Sequence, residues 1–86
     1  MNYKIEEIFD HGQKRYFVFG YYGSTTGDHA SECGAFIYKR SAVKCMRIKQ
    51  TNEKIMMLVS KHPGMTEEIE EAIFEALEET VDAVGE

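Results

Sequence analysis

The C-terminal segment, residues 66–85, constrains the fold of this chain more than any other part of its sequence. Set 100° apart, as in an α-helix, its apolar side chains form one stripe and most of its carboxylates lie opposite. The stripe contains Ile69, Ala72, Ile73, Ala76, Leu77, Thr80, Ala83 and Val84, with Phe74 and Val81 on its flank. Thr66 is placed to cap such a helix, and Glu67 and Glu68 oppose the positive end of its dipole. We therefore predict one long amphipathic helix that buries this stripe.

The acidic side of the predicted helix contains no lysine or arginine. Residues 67–86 hold nine of the fifteen acidic residues and none of the ten basic ones, so residues 1–66 carry a net charge of +4. A solvated surface is the simplest explanation of such a face. A helix that serves solubility alone, however, usually mixes lysine with glutamate. The acidic face is therefore our candidate partner-binding surface, and its residues are Glu67, Glu71, Glu75, Glu78 and Asp82.

The length of the chain favours a single domain over residues 1–86. Its hydrophobic content of 43% is typical of a folded protein and not of a disordered tail. The two cysteines, the initial Met1 and the lack of a long apolar run predict a cytoplasmic location without membrane contact.

Extended segments dominate the sequence before the C-terminal helix. Residues 16–22 have the strongest strand pattern, apolar or aromatic on both faces, and Gly20 indicates a bulge or a close approach within it. Residues 41–50 are ambiguous: Ser41 is placed to cap a short helix, whereas the β-branched Val43 and Ile48 favour a strand, which we prefer. The remaining predicted elements are strands at residues 3–9, 35–39 and 55–59, a turn at 10–13 and a long polar loop at 23–34.

These segments predict a two-layer α+β fold. An antiparallel, meander-like sheet of four to five strands carries one long C-terminal helix on one face. One helix does not cover both faces of such a sheet. We expect the remaining aromatic and methionine side chains to be covered by curling of the sheet, by a second helix at residues 41–50, or by a second subunit in a homodimer.

Reactive residue types do not form a recognisable site. His29 and Cys33 share the polar loop, but a nucleophilic Cys–His pair also needs an orienting third group. These two residues could bind a metal together with Asp28, His11 or His62, but zinc sites usually contain closely paired Cys or His residues, and Cys33 and Cys45 are each isolated in the sequence. We therefore expect no catalytic residues, no metal and no cofactor, and predict that the protein is not an enzyme.

Our leading hypothesis is a non-enzymatic protein-binding module that acts through the acidic helix. Eight carboxylates between residues 67 and 82 lie along about 24 Å of helix axis, roughly one per 3 Å. A nucleic-acid strand carries about one charge per 3.4 Å, so this face would fit the basic channel of a nucleic-acid-handling protein. The chain would then inhibit or regulate that basic partner by occupying its channel.

The alternative hypothesis is a small nucleic-acid-binding domain. Bases would stack on aromatic side chains of the strand at residues 16–22 while neighbouring cations contact phosphates. The residues of this alternative site are Lys14, Arg15, Tyr16, Lys44, Arg47 and Lys49.

Overall fold

The part of the chain that the structure describes contains three strands followed by two helices. They are β1 (Asn2–Asp10), β2 (Gln13–Tyr21), β3 (Ser31–Phe36), α1 (Lys39–Ser60) and α2 (Glu67–Asp82). The structure is a computed structural model that describes residues 1–22 and 30–85. The chain is thus α+β, with one three-stranded antiparallel sheet in the order β1-β2-β3.

The sheet begins with a tight hairpin. His11 and Gly12 connect β1 to β2 with positive φ angles of 51° and 81°, and Asp10 pairs with Gln13. Two successive positive φ values are typical of the type I′ turn, whose twist matches that of the flanking strands. Between β2 and β3 the register shifts after Val18, so Cys33 forms a bulge.

The core lies between one face of the sheet and α1. Val18 from β2 and Phe36 from β3 pack with Ala42 and Cys45 of α1, and Val81 of α2 completes the cluster. Because side chains alternate along a strand, Phe17 and Phe19 lie on the opposite face, where their rings stack with centroids 6.0 Å apart. Both described helices are therefore on the Val18 side of the sheet.

Polar bonds between the two helices show that α2 runs back along α1. Asn52 Nδ2 donates to the carbonyl of Leu77 at 2.8 Å and to the hydroxyl of Thr80 at 3.3 Å. Ser60 Oγ donates to the Glu70 carboxylate at 2.7 Å. When a residue of α1 and a residue of α2 lie at the same height along the hairpin axis, the sum of their residue numbers is thus about 130.

The start of α2 confirms the predicted cap. Thr66 has an extended backbone, and its hydroxyl accepts the backbone N–H of Ile69 at 3.3 Å. Glu67 and Glu68 occupy the first turn, as expected from the sequence. The predicted helix of residues 66–85 corresponds closely to α2.

The predicted sheet of four to five strands with one long helix is wrong. Residues 41–50 and 55–59, which we predicted to be strands, both belong to α1. Continuous apolar runs do not distinguish a strand from a helix segment, and here the run at 55–59 extends a helix with polar residues on its inner face, Ser41 and Asn52. The predicted extended segment 35–39 ends in β3 at Phe36, and Lys39 begins α1.

The predicted loop at residues 23–34 is also too long. Ser31 begins β3, so the last four loop residues are in the sheet. Residues 23–29 lie outside the described residues.

The buried side of α2 differs from the predicted stripe. Val81 is buried and Ile73, Leu77 and Val84 are half-buried, whereas Ile69 is 47% exposed. The alanines of the predicted stripe, Ala72, Ala76 and Ala83, are exposed as well. Only the flank of the stripe that faces α1 is covered, because α2 packs along α1 as the outer helix of the hairpin.

Candidate protein-interaction surfaces

The five predicted partner-binding carboxylates share one face of α2. At 100° per residue, Glu67, Glu71, Glu75, Glu78 and Asp82 fall within an arc of about 80°. All except the half-buried Glu78 are exposed. Within residues 1–22 and 30–85, Glu78 alone of the five has an ion-pair partner, Lys49 Nζ at 3.3 Å. We call these five residues the acidic face.

A groove along α1 has the opposite charge. Its volume is about 720 Å³, and it extends from the first half of α1 to Thr80 of α2. Among the described residues its lining contains four cations and no carboxylate; these lining residues are Lys39, Arg40, Val43, Lys44, Arg47, Ile48, Thr51, Asn52 and Thr80. Arg40 also stacks on Tyr38, with its guanidinium carbon 4.3 Å from the ring centroid. We call this the basic groove.

The structure separates most residues of the alternative nucleic-acid site. Lys44 and Arg47 meet in the basic groove, but Lys49 is paired with Glu78 on another side of α1. Tyr16 packs against the core.

The two β2 cations of that site are also apart from the groove. Lys14 forms an ion pair with Glu7 at 2.6 Å. Arg15 is three positions before the core residue Val18 on β2, so its side chain lies on the sheet face away from α1. The set is therefore not a single surface.

The predicted residue set of the alternative site did not include Lys39 and Arg40, which also line the basic groove. In a strand, Lys44 and Arg47 would point to opposite faces, since side chains alternate. In a helix, residues three and four apart lie on one face, which brings Arg40, Lys44 and Arg47 together. The helical alternative for residues 41–50 would have indicated this cluster.

A further concave surface, besides the basic groove, is apolar. This cleft of about 650 Å³ lies between the two helices on the side of the sheet, next to the start of β1. Three of its large apolar residues are well exposed, namely Tyr22 at 75%, Met57 at 58% and Phe74 at 51%. We call it the apolar cleft.

The thiols are poorly placed for nucleophilic chemistry. Burial raises the pKa of both Cys33 and Cys45, which lowers the fraction of reactive thiolate at neutral pH. Cys33 Sγ donates to the carbonyl of Ser31 at 3.6 Å. Its predicted partner His29, like Asp28, lies outside the described residues.

No group of three His, Cys, Asp or Glu side chains in the described ranges is arranged to hold a metal ion. His11 is almost fully exposed at the β1–β2 turn. His62 lies in the α1–α2 connection, where its Nδ1 accepts the backbone N–H of Gly64 at 3.1 Å.

Neither helix in the described part of the chain is long and apolar enough to cross a membrane. Comparison of the chain with protein-family models, curated proteins and solved structures finds no match. The surfaces themselves are therefore the basis of any functional argument.

Proposed function

We propose that this protein is a non-enzymatic binding module whose acidic face binds a basic protein. The observation that carries this proposal is that Glu67, Glu71, Glu75 and Asp82 are exposed on one side of α2 without an ion pair to any described residue. Like charges at helical spacing repel one another, so the row has an electrostatic cost in the free chain. A cationic partner surface would remove that cost on binding.

The spacing of the carboxylates favours a partner that handles nucleic acid. The five carboxylates of the acidic face lie along about 24 Å of α2, roughly one per 5 Å, and form a row of negative charge that a groove for a phosphate backbone, with about one charge per 3.4 Å, would accept. The protein would act as an inhibitor or regulator by competing for the nucleic-acid channel of its partner, and no cofactor is needed for this action. Two free cysteines support a reducing, cytoplasmic setting.

The test compares two variants of equal charge. Glu67→Gln, Glu71→Gln and Asp82→Asn together remove three charges from the acidic face, and Glu6→Gln, Glu7→Gln and Glu32→Gln remove three from the sheet. Each variant changes the formal net charge from −5 to −2. A basic partner is captured from lysate on the immobilised wild-type chain, identified by mass spectrometry and purified for titration.

We expect the purified partner to bind the wild type and the sheet variant alike, with an affinity that falls steeply as salt rises. The acidic-face variant should bind about tenfold or more weakly and lose much of the salt dependence. Nucleic acid should compete with the wild type for the partner. Equal binding by both variants would exclude the acidic face as the contact surface.

The basic groove supports a second candidate function, binding of a nucleic-acid strand. Four cations line it, with no carboxylate from residues 1–22 or 30–85, and a nucleic-acid strand would follow such a groove through phosphate contacts. Lys44→Gln with Arg47→Gln should then abolish binding of labelled single-stranded DNA or RNA, while Lys14→Gln should not. Fluorescence anisotropy at increasing salt measures this, and absence of wild-type binding at low salt would exclude it.

A further inference from the structure

The outer side of the helix hairpin, facing away from the sheet, leaves large apolar residues uncovered. Leu58 is 73% exposed and Ile69 is 47% exposed. The stacked Phe17 and Phe19 on the far face of the sheet are, by contrast, half-buried. Leu58 and Ile69 are therefore available for burial against a partner that covers the hairpin.

Helical geometry defines this surface. Ala42 and Cys45 point from α1 into the core, and Asn52 points toward α2, so Thr51, Ile55 and Leu58 lie on the outer side of α1. On α2, Ile73, Leu77 and Val81 face α1 and the core, which places Ile69, Ala76 and Thr80 on the same outer side. We call this surface the outer hairpin face; its central residues are Ile48, Thr51, Ile55, Leu58, Ile69, Ala72, Ala76 and Thr80.

The two flanks of the outer hairpin face carry charges of opposite sign. Arg47 and Lys54 lie along the α1 flank and are exposed. Glu68, Glu75 and Glu79 lie along the α2 flank and are exposed as well. The face thus consists of an apolar seam with cations on one side and carboxylates on the other.

Such a face is complementary to itself. Consider a two-fold axis that is parallel to the helices of the hairpin. Rotation about it places α1 of one copy against α2 of the other, and each residue keeps its position along the axis. The cationic flank then meets the acidic flank twice, once on each side of the seam. The exposed alanines of α2 allow close approach of the facing helices.

We propose that the chain forms a two-fold dimer in which the two hairpins make a four-helix bundle through their outer hairpin faces. Because residues at equal height have numbers adding up to about 130, Lys54 of one copy lies opposite Glu75 of the other. Leu58 lies opposite the turn that contains Ile69 and Ala72. Glu67, Glu71 and Asp82 point away from the seam, so the dimer leaves them open to the partner under the proposed function.

Charge exchange at one position of each flank tests the dimer. Lys54→Glu and Glu75→Lys are both at exposed sites, and each replaces two attractions across the two-fold axis with two repulsions. We expect each single variant to dissociate at concentrations where the wild type is dimeric, with the dissociation constant raised about tenfold or more. An equimolar mixture of the two should form a heterodimer, and the double variant should recover the homodimer.

Analytical ultracentrifugation of the full chain provides the measurement, and circular dichroism confirms that each variant keeps its helices. Lys61→Glu and Glu71→Lys, exposed residues away from the seam, serve as controls and should remain dimeric. A monomeric wild type, dimeric single variants or a mixture that stays monomeric would each overturn the proposal. None of these results depends on the basic partner, whose test leaves Lys54 and Glu75 unchanged.

Discussion

At the residue scale, Gly34 lets the backbone of β3 lie against the ring of Phe36, which belongs to the same strand. A Cβ atom added at Gly34 would lie 2.7 Å from Cε2 of Phe36, a ring that is only 9% exposed. The ring is held by the core and has little space to shift. We expect Gly34→Ala to lower the free energy of unfolding by roughly 1 to 3 kcal/mol, as overpacking does elsewhere.

Urea denaturation measures this loss, and Gly64→Ala is the matched control. A Cβ at Gly64 would make only ordinary contacts with His62 at 3.5 Å, so the change should stay within about 0.5 kcal/mol. Equal stability of Gly34→Ala and the wild type would show that Phe36 moves aside.

The carboxylate of Glu53 ties α1 to β1 and links stability to pH. It contacts the N-terminal ammonium and accepts the hydroxyl of Tyr3 at 2.9 Å. Its hydrogen bond with the ammonium lowers the pKa of Glu53. Burial, together with the Glu53 hydrogen bond, raises the pKa of Tyr3.

Ionised Glu53 therefore stabilises the fold above its unfolded pKa of about 4.3, and this contribution is lost as pH falls through the lower folded value. Glu53→Gln should be less stable than the wild type at neutral pH, and the difference should shrink as the solution becomes more acidic. Urea midpoints over a pH series test this, with the exposed Glu32→Gln as the control. A difference that is independent of pH would contradict it.

At the scale of elements, Asn52 couples the two helices. Its side chain is 8% exposed and bonds two acceptors on α2, so its loss removes both bonds from a buried position. We expect Asn52→Ala to cost roughly 1 to 3 kcal/mol by thermal or urea unfolding. Gln50→Ala, two positions away and exposed, should change stability by less than about 0.5 kcal/mol. Because alanine has a higher helix propensity than asparagine or glutamine, propensity would stabilise both variants, and an Asn52→Ala protein as stable as the wild type would show that the two bonds contribute little.

The same asparagine explains why α1 was not predicted from the sequence. The inner face of α1 includes Ser41, Asn52 and Lys49, so polar residues interrupt its apolar period, and Asn52 and Lys49 have their partners on α2. The run at 55–59 departs from a helical pattern in the opposite way, since Met57 and Leu58 are apolar yet exposed. Strand and helix patterns thus conflicted in the sequence, and tertiary contacts decided between them.

Local signals were sufficient elsewhere. Thr66 caps α2 through its own side chain, and the β1–β2 turn depends on His11 and Gly12 alone. Gly20 was predicted to allow a close approach, and a Cβ there would indeed lie within 3.3 Å of Met1, Tyr3 and Cys33. The cap and the turn were predictable because neither needs a distant partner, whereas only the fold shows which side chains approach Gly20.

At the scale of the whole molecule, the two charged surfaces also differ in whether they depend on local sequence or on tertiary contacts. The acidic face follows from spacing within one helix and was predicted residue by residue. The basic groove requires α1 as a helix and Thr80 of α2 beside it, so only the folded chain shows its extent.

The length of the hairpin predicts a gradient of local stability. The described residues extend over 51 Å, and α1 alone is about 33 Å long, whereas its core contacts are at Ala42 and Cys45. No residue in 54–60 or 67–76 is buried. In dilute solution, amides of these two segments should therefore exchange with deuterium faster than those of residues 41–52.

Measurements at several protein concentrations distinguish this gradient of local stability from the effect of self-association. If the hairpins dock through their outer faces, Leu58 and Ile69 become covered, and exchange of the two segments should slow as the wild-type concentration rises. The Lys54→Glu variant should keep the fast exchange over the same range. Because Ala42 and Cys45 are already buried in the core, the protection of residues 41–46 should be nearly unchanged in both proteins. Slowing of exchange in the variant as well would show that association, if present, uses a different surface.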